Sequence, residues 1–199
     1  MERSCYRIYF KTFWASALRI GYKMSEKIFD SLSKNSTTIR DVFMERPSKY
    51  MMLLSFAQEI LREDSFLSKQ DRELIATFTS SLNNCKYCTG AHKVFTKSLG
   101  IPEDEIDLII SNNYSGHRLE SILEYVKKLT LSPSLITKND AQNVFNSGFS
   151  ENELKDAIAI CAAFNLFNRI VEGHGIQENS ETWSSSAEQI NKHGYDRRY

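Results

Sequence analysis

This 199-residue chain has no excess of positive or negative charge: Lys plus Arg and Asp plus Glu each number 25, giving a formal net charge of +0. Such balance argues against nucleic acid and anionic membrane surfaces as partners, and leaves proteins and small molecules. Cysteine is scarce. Cys5, Cys85, Cys88 and Cys161 include only one close pair, too few for the disulfide framework of a secreted protein of this length. A reducing, cytoplasmic setting is therefore expected, where a close pair is more often catalytic or metal-binding than structural. No uninterrupted apolar run reaches the ~18 residues of a membrane-spanning helix, so no membrane span is expected. From Lys34 onward no alternating strand pattern is found either, which removes the βαβ context of a thioredoxin-like fold.

What is present is a run of punctuated helices, and the fold class expected is all-α. Thr37 or Thr38 can cap a short helix ending near Arg46, and Pro47 suits the first turn of the next, whose stripe is Tyr50, Leu53, Leu54, Ala57, Ile60 and Leu61. Ser68 with Asp71 opens a helix to about Leu82, with Leu74, Ile75, Phe78 and Leu82 on its apolar face. Asn83 and Asn84 break the chain before a helix that stops at Gly100, with Pro102 beyond. Further helices are expected over 103–111, around Leu119 to Leu129, from Thr137 with Asp140 to Gly148, and from Ser150 with Glu153 to Gly173. Residues 1–33 read as an amphipathic arm, with Arg3, Arg7 and Lys11 on one face, and 34–176 as a single helical domain. Residues 177–199, polar and Ser-rich, read as a loose tail in which Trp183 alone is a candidate anchor.

The chemistry is concentrated in Asn84-Cys85-Lys86-Tyr87-Cys88-Thr89-Gly90-Ala91-His92. On a helix, residues 85, 88 and 92 share one face, and two cysteines one turn apart have Cα atoms about 5 to 6 Å apart, within disulfide range. Glu73 lies ten residues before the Asn83 turn, or ~15 Å of helix, and His92 eight residues beyond Asn84, or ~12 Å. In an antiparallel hairpin the two side chains would stand at similar depth. A carboxylate orients an imidazole, and an imidazole near a thiol can take its proton; a helix start adds partial positive charge. Cys88, one turn from His92, is the candidate attacking thiolate and Cys85 the resolving thiol. Attack on a peroxide oxygen would give a sulfenic acid on Cys88, which Cys85 converts to a disulfide and a second dithiol then reduces. Two plainer readings stand beside this one: small core residues, and three zinc ligands, although no second CxxC or HxxxH completes a structural metal site.

Glu73, twelve residues before Cys85, with Cys-Lys-Tyr-Cys and His92 four residues after Cys88, resembles the AhpD-like alkylhydroperoxidase branch of the carboxymuconolactone decarboxylase superfamily. Arg72-Glu73-Leu74-Ile75-Ala76, Leu131-Ser132-Pro133 and Phe164-Asn165-Leu166-Phe167-Asn168-Arg169 carry the resemblance across residues 37–176, toward the peroxidase-related members. It implies an all-α homo-oligomer, a trimer or hexamer, that reduces a small peroxide with a lipoyl- or thioredoxin-type reductant protein. By position it implies Glu73 and His92 as proton relay, Cys88 as peroxidatic thiol and Cys85 as resolving partner. The Cys85–Cys88 redox disulfide replaces any cofactor, and no metal is expected. The best-characterised member has a histidine within its CxxC where this chain has Lys86 and Tyr87. The alternative from another class is an oligomeric redox-sensing or scaffold protein of the same fold, without turnover.

Overall fold

The structure, a computed structural model, describes residues 28, 29, 38–177 and 180–196; the expected arm and Cys5 lie outside these, apart from Ile28 and Phe29. Among the described residues there are nine α-helices and no strand: α1 (Ile39–Glu45), α2 (Pro47–Arg62), α3 (Lys69–Leu82), α4 (Lys86–Ser98), α5 (Glu103–Ile110), α6 (Glu120–Leu131), α7 (Lys138–Asn146), α8 (Glu151–Gly173) and α9 (Trp183–His193). None of the described helices is long and apolar enough to cross a membrane.

The starts of these helices follow from side chains that bond the first free amides. Thr38 with Asp41, Thr137 with Asp140 and Ser150 with Glu153 form reciprocal capping boxes, and Ser68 accepts from the Asp71 amide. Gly100 and Gly148 close α4 and α7 at φ +102 and +95, a region where a β-carbon is strained.

α3 is the axis of the fold, packed by α2, α4, α5, α6 and α8. Its Leu74, Ile75 and Phe78 are fully buried, as the apolar stripe predicts, yet every residue from Asp71 to Ser80 is buried, so the helix is enclosed on all sides. Hydroxyls make that enclosure affordable: Thr77, Thr79 and Ser80 each donate to the carbonyl four residues back, at 2.8, 2.8 and 2.9 Å. Small side chains also let α4 approach, and Thr77 Oγ1 meets Thr96 Oγ1 at 3.1 Å.

The last segment differs from its expectation. Instead of a loose tail, residues 183–193 form α9, which packs on α4 through buried Trp183 and Ala187 against Ala91 and Phe95. Trp183, Ala187 and Ile190 recur at helical spacing, so a short apolar stripe was present within a Ser-rich composition.

Candidate active site

The site begins at the turn joining α3 to α4. Asn84 sits at φ 56, a left-handed conformation that Asn tolerates better than most residues, and Cys85 follows in an extended conformation as the N-cap of α4. Cys85 is thus half a step outside the helix, while Cys88 lies in its first turn. Asn168 of α8 fixes this turn: its Oδ1 accepts from Asn83 Nδ2 at 2.9 Å and its Nδ2 donates to Ser80 Oγ at 3.0 Å. Asn165 accepts a second bond from Asn83 at 3.2 Å, and Arg169 Nη1 donates to Asn165 Oδ1 at 2.9 Å. The three polar residues of α8 therefore hold the thiol-bearing turn.

Both thiols are free and buried, Cys85 at 0% and Cys88 at 4% exposure. The hydrogen bond that Cys85 shares with Cys88, together with burial, raises the Cys85 thiol far above its ordinary range, and the Glu172 side chain, which also reaches it, acts in the same sense. Cys85 accordingly stays protonated. Between them, Lys86 faces solvent, whereas Tyr87 is buried with its hydroxyl accepting from the Ile39 amide at 3.3 Å; burial raises that phenol to about 12. Tyr87 ties the CxxC to the start of α1.

His92, one turn beyond Cys88, places Nδ1 at 2.7 Å from Oε2 of Glu73. Phe164 and Phe95 pack edge-on against the imidazole at centroid distances of 4.6 and 5.0 Å. The Glu73–His92 and Thr77–Thr96 contacts both span 19 residues. Both contacts join α3 to α4, which pack closely along their length. The relay carboxylate and imidazole meet, and the thiols meet each other; among the described residues no hydrogen bond joins the two pairs.

Two partners of Glu73 were absent from the sequence reading. Arg62, at the end of α2, puts Nη2 2.6 Å from Oε1, and the Tyr195 hydroxyl donates to the same oxygen at 2.6 Å. The guanidinium also lies 4.9 Å from the centroid of the Tyr195 ring. Glu73 is 0% exposed, and burial alone would raise its carboxyl; Arg62, His92 and Tyr195 outweigh this and bring it to about 2. Burial and the Glu73 charge raise the Tyr195 phenol well above its ordinary value, so it remains a donor. The signal for Arg62 was a charged residue eight positions after Leu54, beside the apolar stripe of α2; for Tyr195 there was none. His174 is elsewhere, with Nδ1 2.7 Å from the Ile170 carbonyl and its ring near Phe29 and Tyr50.

Residues 49–125, which hold all four expected site residues, match the family model of the carboxymuconolactone decarboxylase family. Two solved structures share the fold. An uncharacterized peroxidase-related protein from Silicibacter sp. TM1040 superposes with a TM-score of 0.69 at 21% identity, over 83% of this chain and 93% of the other. The alkylhydroperoxidase AhpD core of a peroxidase-related protein from Ralstonia eutropha JMP134 gives 0.66 at 25% identity, over 71% and 76%. Over residues 49–125 the chain is similar to the carboxymuconolactone decarboxylase family, and its all-α fold is the one these AhpD-like, peroxidase-related structures share. The chain is also similar to Sestrin-3 of Mus musculus, 31% identical over 121 residues; the match takes in 59% of the chain but only 24% of Sestrin-3, so it spans about a quarter of that relative. The segment matched by the family model ends before α9 and Tyr195, so two of the contacts that complete the Glu73 environment lie inside and one outside it.

Proposed function

We propose that this protein is a thiol-dependent hydroperoxide reductase working through a Cys85–Cys88 dithiol/disulfide cycle, with Glu73 and His92 as its proton relay. The observation that carries the reading is the 2.7 Å Glu73–His92 contact, whose imidazole stands on α4 one turn beyond Cys88, with the free Cys85 thiol at the N-cap of the same helix. The family similarity and peroxidase-related structural neighbours support a peroxidase-related, antioxidant role in general.

His92, its Nδ1 engaged by Glu73, takes the Cys88 proton through Nε2, directly or through one water. The Cys88 thiolate attacks the distal oxygen of ROOH; the O–O bond breaks, Cys88 becomes a sulfenic acid, and the leaving alkoxide takes a proton to depart as ROH. Cys85 then attacks the Cys88 sulfur, releasing water and forming the disulfide. An external dithiol of lipoyl or thioredoxin type attacks that disulfide, returning both thiols and leaving itself oxidised. A raised Cys85 thiol suits its part: it stays protonated during peroxide attack and can donate to the departing alkoxide. A homo-oligomer, trimer or hexamer, is proposed as the working form.

Peroxide consumption with excess dithiol is expected for the wild type, and its loss in Cys88→Ser and His92→Ala. Intact mass after one equivalent of organic peroxide should fall by two hydrogens, with peptide mapping locating a Cys85–Cys88 bond. A disulfide that forms without sustained consumption would favour the redox-sensing alternative instead. No reaction with peroxide in either assay would sink both.

A further inference from the structure

We propose that Tyr195 is a positioning residue of the relay: brought in by α9, it shares Oε1 of Glu73 with Arg62 and so leaves Oε2 alone to His92. This rests on the relay reading above, but concerns a residue outside the segment that carries the family resemblance.

The geometry is specific to one carboxylate. Oε1 receives Arg62 Nη2 and the Tyr195 hydroxyl, each at 2.6 Å, while Oε2 has His92 Nδ1 at 2.7 Å. Oε1 is committed to the Tyr195 hydroxyl and to the ion pair with Arg62, whose Nη2 makes no hydrogen bond among the described residues, so rotating the carboxylate would break both contacts and Oε2 is left to the imidazole N–H. The cation and the hydroxyl also draw negative charge away from His92. A lone buried carboxylate would hold imidazolium strongly; one already shared with a guanidinium and a phenol holds it less. The charged groups facing Glu73 are Arg62 from α2, Arg72 from α3 itself and His92 from α4, with Tyr195 from the segment after α9.

The hydroxyl arrives only if α9 is docked. Trp183 and Ala187 are the buried residues of α9, Asn191 Nδ2 donates to Ser98 Oγ of α4 at 3.0 Å, and beyond the helix Gly194 turns at φ +77 against Gln58. Gln58 Oε1 then accepts the Tyr195 amide at 2.7 Å and fixes the approach of the ring. The anchor is a slender one, because the Trp183 indole N–H is buried with no hydrogen-bond partner, an arrangement that offsets part of what ring burial contributes.

The test follows the His92 imidazole by NMR across pH in the full chain, a readout that does not depend on peroxidase turnover. Tyr195→Phe keeps the ring and removes only the donor, and should move the His92 titration midpoint upward from wild type by about half a pH unit or more. Trp183→Ala, which loosens α9 while leaving Tyr195 in the sequence, should move it in the same direction. Circular dichroism establishes that both variants are folded. An unchanged midpoint in Tyr195→Phe, or a shift in Trp183→Ala alone, would overturn the role of the hydroxyl; a shift in Tyr195→Phe alone would overturn its dependence on docked α9. Absence of peroxide turnover in the wild type would count against the proposed function and leave this measurement intact.

Discussion

The benzo ring of Trp183 occupies the place where a β-carbon on Gly90 would stand, so the C-terminal helix is seated on the one glycine of α4. A glycine inside a helix ordinarily costs about 1 kcal/mol relative to alanine. Here it is the receptor for a side chain 93 residues later.

Gly90→Ala should therefore gain local helix propensity yet lose the α9 seat. In a Trp14→Phe background, where Trp183 is the remaining tryptophan of the two, its emission should shift to the red and its quenching by acrylamide should rise. Emission identical to the parent would show that the ring tolerates the added methyl by sliding.

Acid should weaken the fold through Glu73. Its folded carboxyl titrates near 2 against an ordinary 4.5, so ionised Glu73 stabilises the native state fully above about pH 4.5 and progressively less as pH falls toward 2. The contribution at stake is on the order of 3 kcal/mol. Urea midpoints across this window should decline for wild type, and the decline should be shallower in Glu73→Gln. At pH 7 the Gln variant should be less stable by about 3–5 kcal/mol, because Arg62 keeps a buried charge without its partner.

Thiol labelling should distinguish the two cysteines. Because its neighbour and burial hold Cys85 protonated, iodoacetamide at pH 8 should modify Cys88 first, with Cys85 slower by on the order of tenfold. Mass mapping after short pulses reads the order directly; equal rates would contradict the division of labour.

Asn168→Ala should remove one bond each from Asn83 and from buried Ser80, while Asn83 keeps Asn165 and Ser80 keeps the Ala76 carbonyl, a loss of about 1 kcal/mol. Thermal unfolding should report it as a lowered midpoint.

Much of the scaffold was legible because helix boundaries are local. A threonine or serine and an acid three residues on are enough to start a helix, and the capping residues at 38, 137 and 150 do so in the structure. The Glu73–His92 contact was legible for a related reason: two helices separated by a short turn have few ways to meet. The Thr77–Thr96 hydroxyl contact between the same helices was not, because periodicity does not say which buried polar groups will pair. Nor could periodicity name Arg62, which hides beside an apolar stripe, or Tyr195, whose partner is 122 residues away. Asn165, Asn168 and Arg169 entered the sequence reading only within a segment that carries the resemblance; their part in pinning the turn of Asn83 requires knowing that α8 runs past it.

The distance between Glu73 and Tyr195 along the chain has a meaning in time as well as space. At about 5–20 residues per second, a ribosome needs roughly ten seconds to go from the glutamate to the tyrosine that bonds it. In that interval α3 and α4 can already pair, and the nascent chain carries both thiols beside a carboxylate held only by Arg62 and His92. Glu73 is thus synthesised well ahead of the hydroxyl that completes its hydrogen bonding, and the buried carboxylate is finished only when the last described helix has docked.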